Sequence, residues 1–462
     1  MTLRTPGRDG TAVVVGASIA GLLAARVLAE HVGRVVVLDR DSLPGDAVPR
    51  GGTPQSVHAH ALLSRGLRVL EELFPGLTAD LVAQGALAGD PQQVFRWMTE
   101  GRSMAPGRSG LCTLMVGRPL LEREVRRRAL SDPRITVHER VDVRALLHDG
   151  SGRVTGVAGV DRDDPAARGL RRWDAELVLD ASGRQSRVPQ WLAALGFQPP
   201  EEERVEVDLT YATRQYRRDP AHADGALGLL VNASPDVERG GGLFAQEGGR
   251  WICTLAGLFG DRPPIDPDGF EAYAATLSSP VLHDVITSSA PLDEPRRFRF
   301  PASVRRRYER LSRSPRGLLV IGDAICSFDP VYGQGMTVAA LEALALREVL
   351  ADGPDRLRLA QEFWQACAAV VDTPWQMSAG GTARLPGYRG PVSRRTRMVN
   401  AYLTTLQRAA WSDTAVGTAF VRVAQLEAPP QSLVSPSVLA RVVRASRRRP
   451  AVVPSSRVPA AA

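Results

Sequence analysis

The chain has 462 residues, 44% hydrophobic, 23% charged and 5% aromatic, which is the composition of an ordinary globular protein long enough for about three domain-sized units. That excludes collagen-like, low-complexity and largely disordered chains. The formal charge of +8 comes from 58 basic residues, all of them arginine, against 50 acidic ones; an arginine-only set reads as high-GC bacterial coding bias, and its even mixing with acids speaks against a nucleic-acid surface.

Cys112, Cys253, Cys326 and Cys367 are scattered with no Cys-x-x-Cys pair, so neither a disulfide framework nor a zinc knot is indicated and a cytoplasmic setting is expected. The apolar run from Thr11 is interrupted by Arg26, too early for a membrane span. It reads instead as strand 13–16, a glycine turn and helix 19–31, followed by RVVVLD as a second strand ending at Asp39, together one βαβ unit. A Gly/Pro-rich loop then leads to a helix over 60–73. Further on, a helix is expected over 118–130 behind Pro119, a meander of short strands over 135–160 with a turn at 149–152, and the strand AELVLD running into ASGRQSR.

From 201 to 301 the pattern changes to alternating strands around one helix, the mark of an inserted antiparallel sheet. LLVIGD at 318–323 restores the parallel-strand pattern, and helices follow from 335. The expected architecture is α/β: a Rossmann-like nucleotide-binding domain in two parts (1–200 and 302–372), a mostly antiparallel substrate-binding sheet (201–301), a helical C-terminal region (373–446) and a disordered tail (447–462).

Two turns carry chemistry. In the first, Gly16 permits the tight bend, the small Ser18 lets a pyrophosphate approach the backbone, and Gly21 lets helix and strand pack closely. Asp39, 18 residues beyond Gly21, can accept from ribose hydroxyls. The second is GDAICSFDPVYGQGM, from Gly322 to Met336. Asp323 at a strand end suits a ribityl or ribose hydroxyl, while Gly333 and Gly335 open a helix N-terminus to a flat ligand whose reduced form carries negative charge. Together the turns point to FAD.

Both turns, with DASGRQSR at 180–187, resemble the three signatures of group A flavin monooxygenases, the class similar to p-hydroxybenzoate hydroxylase. GASIAGLLAARVL, PQSVHAHALL, GRPLLEREVRRR, LTYATRQYR, RWICTLAG and FRFPASVRRRYERL look like an actinobacterial branch that includes polyether epoxidases. The resemblance implies FAD held by Gly16, Ser18, Gly21, Asp39, Arg40, Arg118, Asp180 and Asp323, with Pro330, Gly333, Gly335 and Met336 facing the isoalloxazine and NADPH or NADH as electron donor. Gly183 and Arg187 match the third signature, in which Ala181 replaces a glycine of the wider class; Val57 stands where relatives often place arginine. The implied activity is oxygen insertion into a hydrophobic polyketide, most simply alkene epoxidation, since no residue presents itself as a substrate base and the chemistry is left to the flavin. The alternative is a redox-neutral [4+2] cyclase holding FAD structurally.

Tyr211, Arg214, Trp251 and Phe300 are candidates for a substrate cavity. His58 and His60 read as flavin-side packing and not as a metal site, and the runs REVRRR and VRRRYER as solvated faces. A monomer or homodimer without nucleic-acid or membrane-spanning partners is expected.

Overall fold

The computed structural model describes residues 10–60, 62–163, 169–353 and 357–447; apart from Arg447, the expected tail lies outside them. Five parallel strands form the central sheet in the order Leu318–Val320, Leu177–Asp180, Thr11–Val15, Arg34–Leu38, Ile135–His138. Their Val- and Leu-rich runs are buried on both faces, as parallel strands covered by helices must be. Val15 pairs with Asp180 and Asp180 with Val320. This register brings the ends of the three signature strands side by side at the carboxyl edge, where open α/β sheets bind ligands.

Ile135–His138 joins this sheet as its outer strand, and the rest of the expected meander forms a separate three-stranded sheet with Val154–Asp161 in the middle, in the order Arg171–Asp174, Val154–Asp161, Val141–His148. The 149–152 turn is closed by Asp149 Oδ1, which accepts from Ser151 N at 2.9 Å. Helix Ile19–Leu28 packs against helix Gly335–Ala351.

The second sheet has eight strands, in the order Cys326–Ser327, Arg296–Arg306, Glu202–Arg217, Arg250–Gly257, Arg239–Gln246, Gly228–Val231, Phe95–Thr99, Arg102–Ser103. It therefore draws strands from before and after the 201–301 segment. It is antiparallel except where Phe95–Thr99 runs parallel to Gly228–Val231. Alternation along Glu202–Arg217 gives the sheet two faces. Tyr211 and Phe300 join the core shared with the nucleotide-binding sheet, whereas Ala212, Tyr216, Trp251, Cys253 and Leu255 pack with Phe270 and Ile286 of helices Pro267–Ala275 and Val281–Thr287.

Helices Leu359–Thr382, Arg394–Ala409, Thr414–Ala424 and Pro436–Arg447 complete the chain; the first runs unbroken through the boundary expected at 372. No described helix is long and apolar enough to cross a membrane. Not every arginine run is a solvated face: Arg305 in VRRRYER is only 1% exposed and pairs with Asp372 at 2.6 Å.

Candidate cofactor and substrate site

The first turn is built on close approach. Gly16 has φ +106°, and a Cβ there would lie 2.6 Å from the Ala181 carbonyl oxygen. A Cβ on Gly21 would lie 1.9 Å from the Gly16 oxygen. Ser18 precedes the helix without its side chain capping it; its hydroxyl instead accepts from Arg118 Nη2 at 2.9 Å and lies 3.3 Å from Glu122 Oε2. The first helical N–H groups are thus left without a side-chain cap from Ser18, at the positive end of the helix dipole.

Asp39 ties the second strand to this turn, its Oδ2 accepting from Ala17 N at 2.6 Å and its Oδ1 from Asp41 N at 2.9 Å. Arg40 is exposed, with Nη1 3.5 Å from Gln185 Oε1, which links it to the third signature.

Two further residues belong here that the sequence reading passed over. Arg50, from the Gly/Pro-rich loop, reaches Asp39 at 3.2 Å, Asp41 at 3.1 Å and Glu122 at 2.8 Å, and Arg118 meets Glu122 at 3.1 Å. Burial works against a charged Glu122, and the guanidinium groups of Arg118 and Arg50 overcome it, holding its carboxyl below the ordinary range. A carboxylate clasped between two arginines beside a helix N-terminus displays the chemistry of an anion site.

The second turn touches the first. Gly322 has φ +69°, and a Cβ on it would approach the Ala20 Cβ to 2.9 Å. Its N–H donates to Glu342 Oε2 at 2.6 Å. Glu342 is fully buried, and burial pushes its carboxyl up to about 8. Asp323 lies deep in the protein, where burial raises its pKa against the pull of Arg118 and Arg184, yet its side chain is exposed; both hold together only for a group lining an internal cleft. Gly335 opens helix Gly335–Ala351 next to it, a Cβ there coming within 3.8 Å of Asp323 Oδ1. Gly333 is left-handed at φ +63°, Pro330 and Met336 are half-buried, and the buried Gln334 Oε1 has no hydrogen-bond partner among the described residues. On the third signature, Asp180 is fully buried and accepts from Ser186 Oγ at 2.6 Å. Gly183 lies at φ +80° with open space around it, and Arg187 sits just before helix Val188–Ala194.

Close-packed glycines in both turns, Arg118 bonded to Ser18 of the first and acting by its charge on Asp323 of the second, an accessible acid at depth and an amide oxygen without a partner among the described residues fit an extended dinucleotide ending in a polar heterocycle. Arg118→Ala is expected to weaken FAD binding about 10- to 100-fold, in keeping with the roughly 1.5–3 kcal/mol of a hydrogen bond to a charged group. Titration of apoprotein followed by quenching of flavin fluorescence measures it.

The four candidate substrate residues are not brought together. Tyr211 and Phe300 stand on the face turned towards the nucleotide-binding domain, while Trp251 and Arg214 lie on the other face. Trp251 is fully buried, and Arg214 donates to the Asp293 carbonyl at 2.9 Å and stacks over Tyr216.

On the inner face, the rings of His58, Tyr211 and Phe298 cluster with centroids 5.3 to 6.5 Å apart. His58 Nδ1 bonds Thr213 Oγ1 at 2.7 Å, Thr213 bonds Thr254 at 2.7 Å, and Thr254 Oγ1 accepts from Ala59 N at 3.0 Å. The histidine loop is thus pinned to the sheet. Burial, with Arg296 adding to it, lowers His58 to about 4; burial and then Arg118 lower His60 to about 3, so both rings are neutral at physiological pH. Asp329, which follows the short strand at the sheet edge, was also passed over; it is 1% exposed, and burial pushes it up to about 6.

The geometry defines an α/β nucleotide-binding protein, its two glycine turns in contact at the carboxyl edge of the parallel sheet and an aromatic cluster packed on the inner face of the large one. Residues 9–353 match the FAD binding domain family, and the chain belongs to it. It is 35% identical over 395 residues to Protein Rv3254 of Mycobacterium tuberculosis, covering 82% of each chain. It is 26% identical over 452 residues to 6-methylpretetramide 4-monooxygenase of Streptomyces rimosus, covering 88% of this chain and 94% of that one. In fold it is similar to a flavoprotein/dehydrogenase from Cytophaga hutchinsonii, with a TM-score of 0.66, 16% identity and 95% and 98% coverage. Family and relatives support FAD as the cofactor and monooxygenase as the enzyme class.

Proposed function

We propose that the protein is an FAD-dependent monooxygenase of secondary metabolism that inserts one atom of dioxygen into a hydrophobic, polyketide-type small molecule, with NADPH or NADH as electron donor. The observation that carries this reading is the meeting of the two glycine turns at Ala20 and Gly322, with the ring cluster of the large sheet as the neighbouring apolar wall. Bound FAD supplies the redox and dioxygen chemistry.

The chain's residues bind and orient. Gly16, Ser18, Asp39, Arg50 and Arg118 hold the adenosine diphosphate half; Asp323 and the helix start at Gly335 hold the flavin half. His58, Tyr211 and Phe298 exclude water from the ligand's apolar face. Alkene epoxidation, favoured by the family resemblance, drew support from the lack of a substrate base. Asp329 is a buried carboxyl raised to about 6, so hydroxylation of an ionisable ring stands beside epoxidation as a reaction to test.

The test is turnover of the hydroxyanthraquinone emodin by the FAD-loaded enzyme with NADPH under labelled dioxygen. One labelled oxygen in the product is expected. NADPH consumption without label in any product, or product formed without donor and dioxygen, overturns the proposal.

A further inference from the structure

The mixing of arginine with acid along the chain stops at Arg389. From there to residue 462 the sequence holds twelve arginines and two acids, Asp413 and Glu427, so this stretch carries more than the whole chain's formal charge of +8. Both acids are already engaged, Asp413 with Arg441 at 3.2 Å and Glu427 with Arg68 at 3.1 Å, and Arg408 turns back to Glu100 at 2.9 Å. Arg394, Arg395, Arg397, Arg444 and Arg447 are exposed, and no ion pair reaches them among the described residues. The first three occupy the opening turn of helix Arg394–Ala409, which holds no acid. Cations at that end oppose the helix dipole, so the stability of the helix does not account for them.

The same unit exposes apolar side chains. Leu406, Val416, Leu433 and Val442 belong to the core between helices Arg394–Ala409, Thr414–Ala424 and Pro436–Arg447. Outside that core Met398 is 74% exposed, Val434 52%, Val443 49%, Val399 48% and Leu439 38%. Tyr402 Oη donates to the Leu433 carbonyl at 2.5 Å. Met398 and Val399 lie one helical turn before Tyr402 on its face, and Val434 follows Leu433, so these three surround one seam. Leu439 and Val443, one turn apart, continue along the last helix, which packs against helix Arg394–Ala409.

Two occupants fit this face poorly. A second copy docked face to face would set the same five arginines against one another, with both acids of the stretch already paired. A nucleic acid would answer the arginines and leave the aliphatic side chains without an apolar partner. We propose that this helical face is a peripheral docking surface for an anionic lipid bilayer. The apolar side chains enter the boundary between headgroups and acyl chains, and the arginines between them meet the lipid phosphates. Bilayer docking stands independently of the monooxygenase reading, whose hydrophobic substrate would collect in the same bilayer.

The experiment floats the FAD-loaded full chain, without substrate or NADPH, with vesicles of phosphatidylcholine alone or with about one part in three of phosphatidylglycerol. Binding to the mixed vesicles is expected to be at least about tenfold tighter than to phosphatidylcholine alone and to disappear as salt rises from about 0.1 to 0.5 M. Met398→Asp combined with Val443→Asp should weaken it about tenfold or more, and so should Arg394→Gln, Arg395→Gln and Arg397→Gln together. Leu170→Asp, at a side chain 52% exposed outside these helices, should leave it unchanged. Circular dichroism and flavin content check that each variant folds, and the comparison of the two vesicles needs no variant. No binding, equal binding to both vesicles, or binding that survives both sets of substitutions overturns the proposal. A lipid-free dimer that the two aspartates dissociate assigns the face to a second copy, and tighter binding to duplex DNA or polyglutamate than to the mixed vesicles assigns it to another anionic partner; each overturns it as well. None of these results touches the labelled-dioxygen test, so the two readings fail separately.

Discussion

Gly21→Ala gives a protein that is colourless after purification and unfolds well below the wild type. The added Cβ would sit 1.9 Å from the carbonyl oxygen of Gly16, a backbone atom with no freedom to swing away. Gly16 is itself fixed, its N–H donating to Leu38 O at 2.8 Å and its α-carbon lying against Ala181. Ala17 is held by Asp39. Relief requires helix Ile19–Leu28 to move off the sheet by more than 1 Å, breaking its packing on Gly335–Ala351 and separating the two turns that hold the cofactor. A cost above about 4 kcal/mol is expected, a large share of the 5–15 kcal/mol that keeps a domain folded. The control is Gly183→Ala, where φ is +80° but nothing lies within 4 Å of the new Cβ; only left-handed strain of about 1–2 kcal/mol applies. Thermal unfolding and the ratio of flavin to protein absorbance read both. A yellow Gly21→Ala protein with unchanged unfolding temperature refutes the close approach.

The parts of this site that sequence made legible are those whose chemistry is local. Gly16, Gly21 and Asp39 lie within one βαβ unit, and the buried runs VVV and LLV announce parallel strands by composition alone. Arg50, Glu122 and Glu342 carry no such signal, because their partners are remote: Arg50 meets Glu122 across 72 residues, and Glu342 serves a turn 20 residues before it. In the sequence, Arg50 is one charge in a Gly/Pro loop, and Glu342 is one acid in a helix.

The large sheet was harder for a different reason. Strand Glu202–Arg217 has a register shift between Glu206 and Leu209, with Asp208 at φ +32°, a local bulge; before it Val205 and Val207 are buried while Arg204 and Glu206 are exposed. Past the bulge both faces are buried and both carry polar residues, Thr213 inside and Arg214 outside. Alternation alone therefore cannot tell that Tyr211 packs towards the nucleotide-binding sheet and Arg214 away from it. Asp329 was hidden for a like reason, since Asp-Pro reads as an ordinary turn start and only the fold buries it to 1% exposure.

Glu342 supports the last and steepest prediction. Its Oε2 accepts from Gly322 N, while Oε1 is buried without a partner among the described residues, near Asp323 and the thiols of Cys326 and Cys367. Burial first, and then the charge of Asp323, raise its pKa from 4.5 to about 8, against the opposing Gly322 hydrogen bond. The folded protein thus holds a proton that the unfolded chain releases above pH 4.5. The contribution to stability is full below that pH, declines as pH rises, and is lost once pH passes about 8, a swing of roughly 4–5 kcal/mol. Glu342→Gln cannot ionise and keeps an oxygen for Gly322 N. Relative to the wild type it should be near neutral at pH 5 and clearly more stable at pH 8, with Asp329 cancelling from the comparison because both proteins contain it. Glu342→Leu is the complementary variant: it strands the buried Gly322 N–H at a cost of about 1–3 kcal/mol and frees the turn that presents Asp323, so its FAD affinity should fall as well. Denaturant unfolding at the two pH values decides the matter, and a Gln-minus-wild-type difference that stays flat from pH 5 to 8 means that Glu342 does not carry the proton assigned to it.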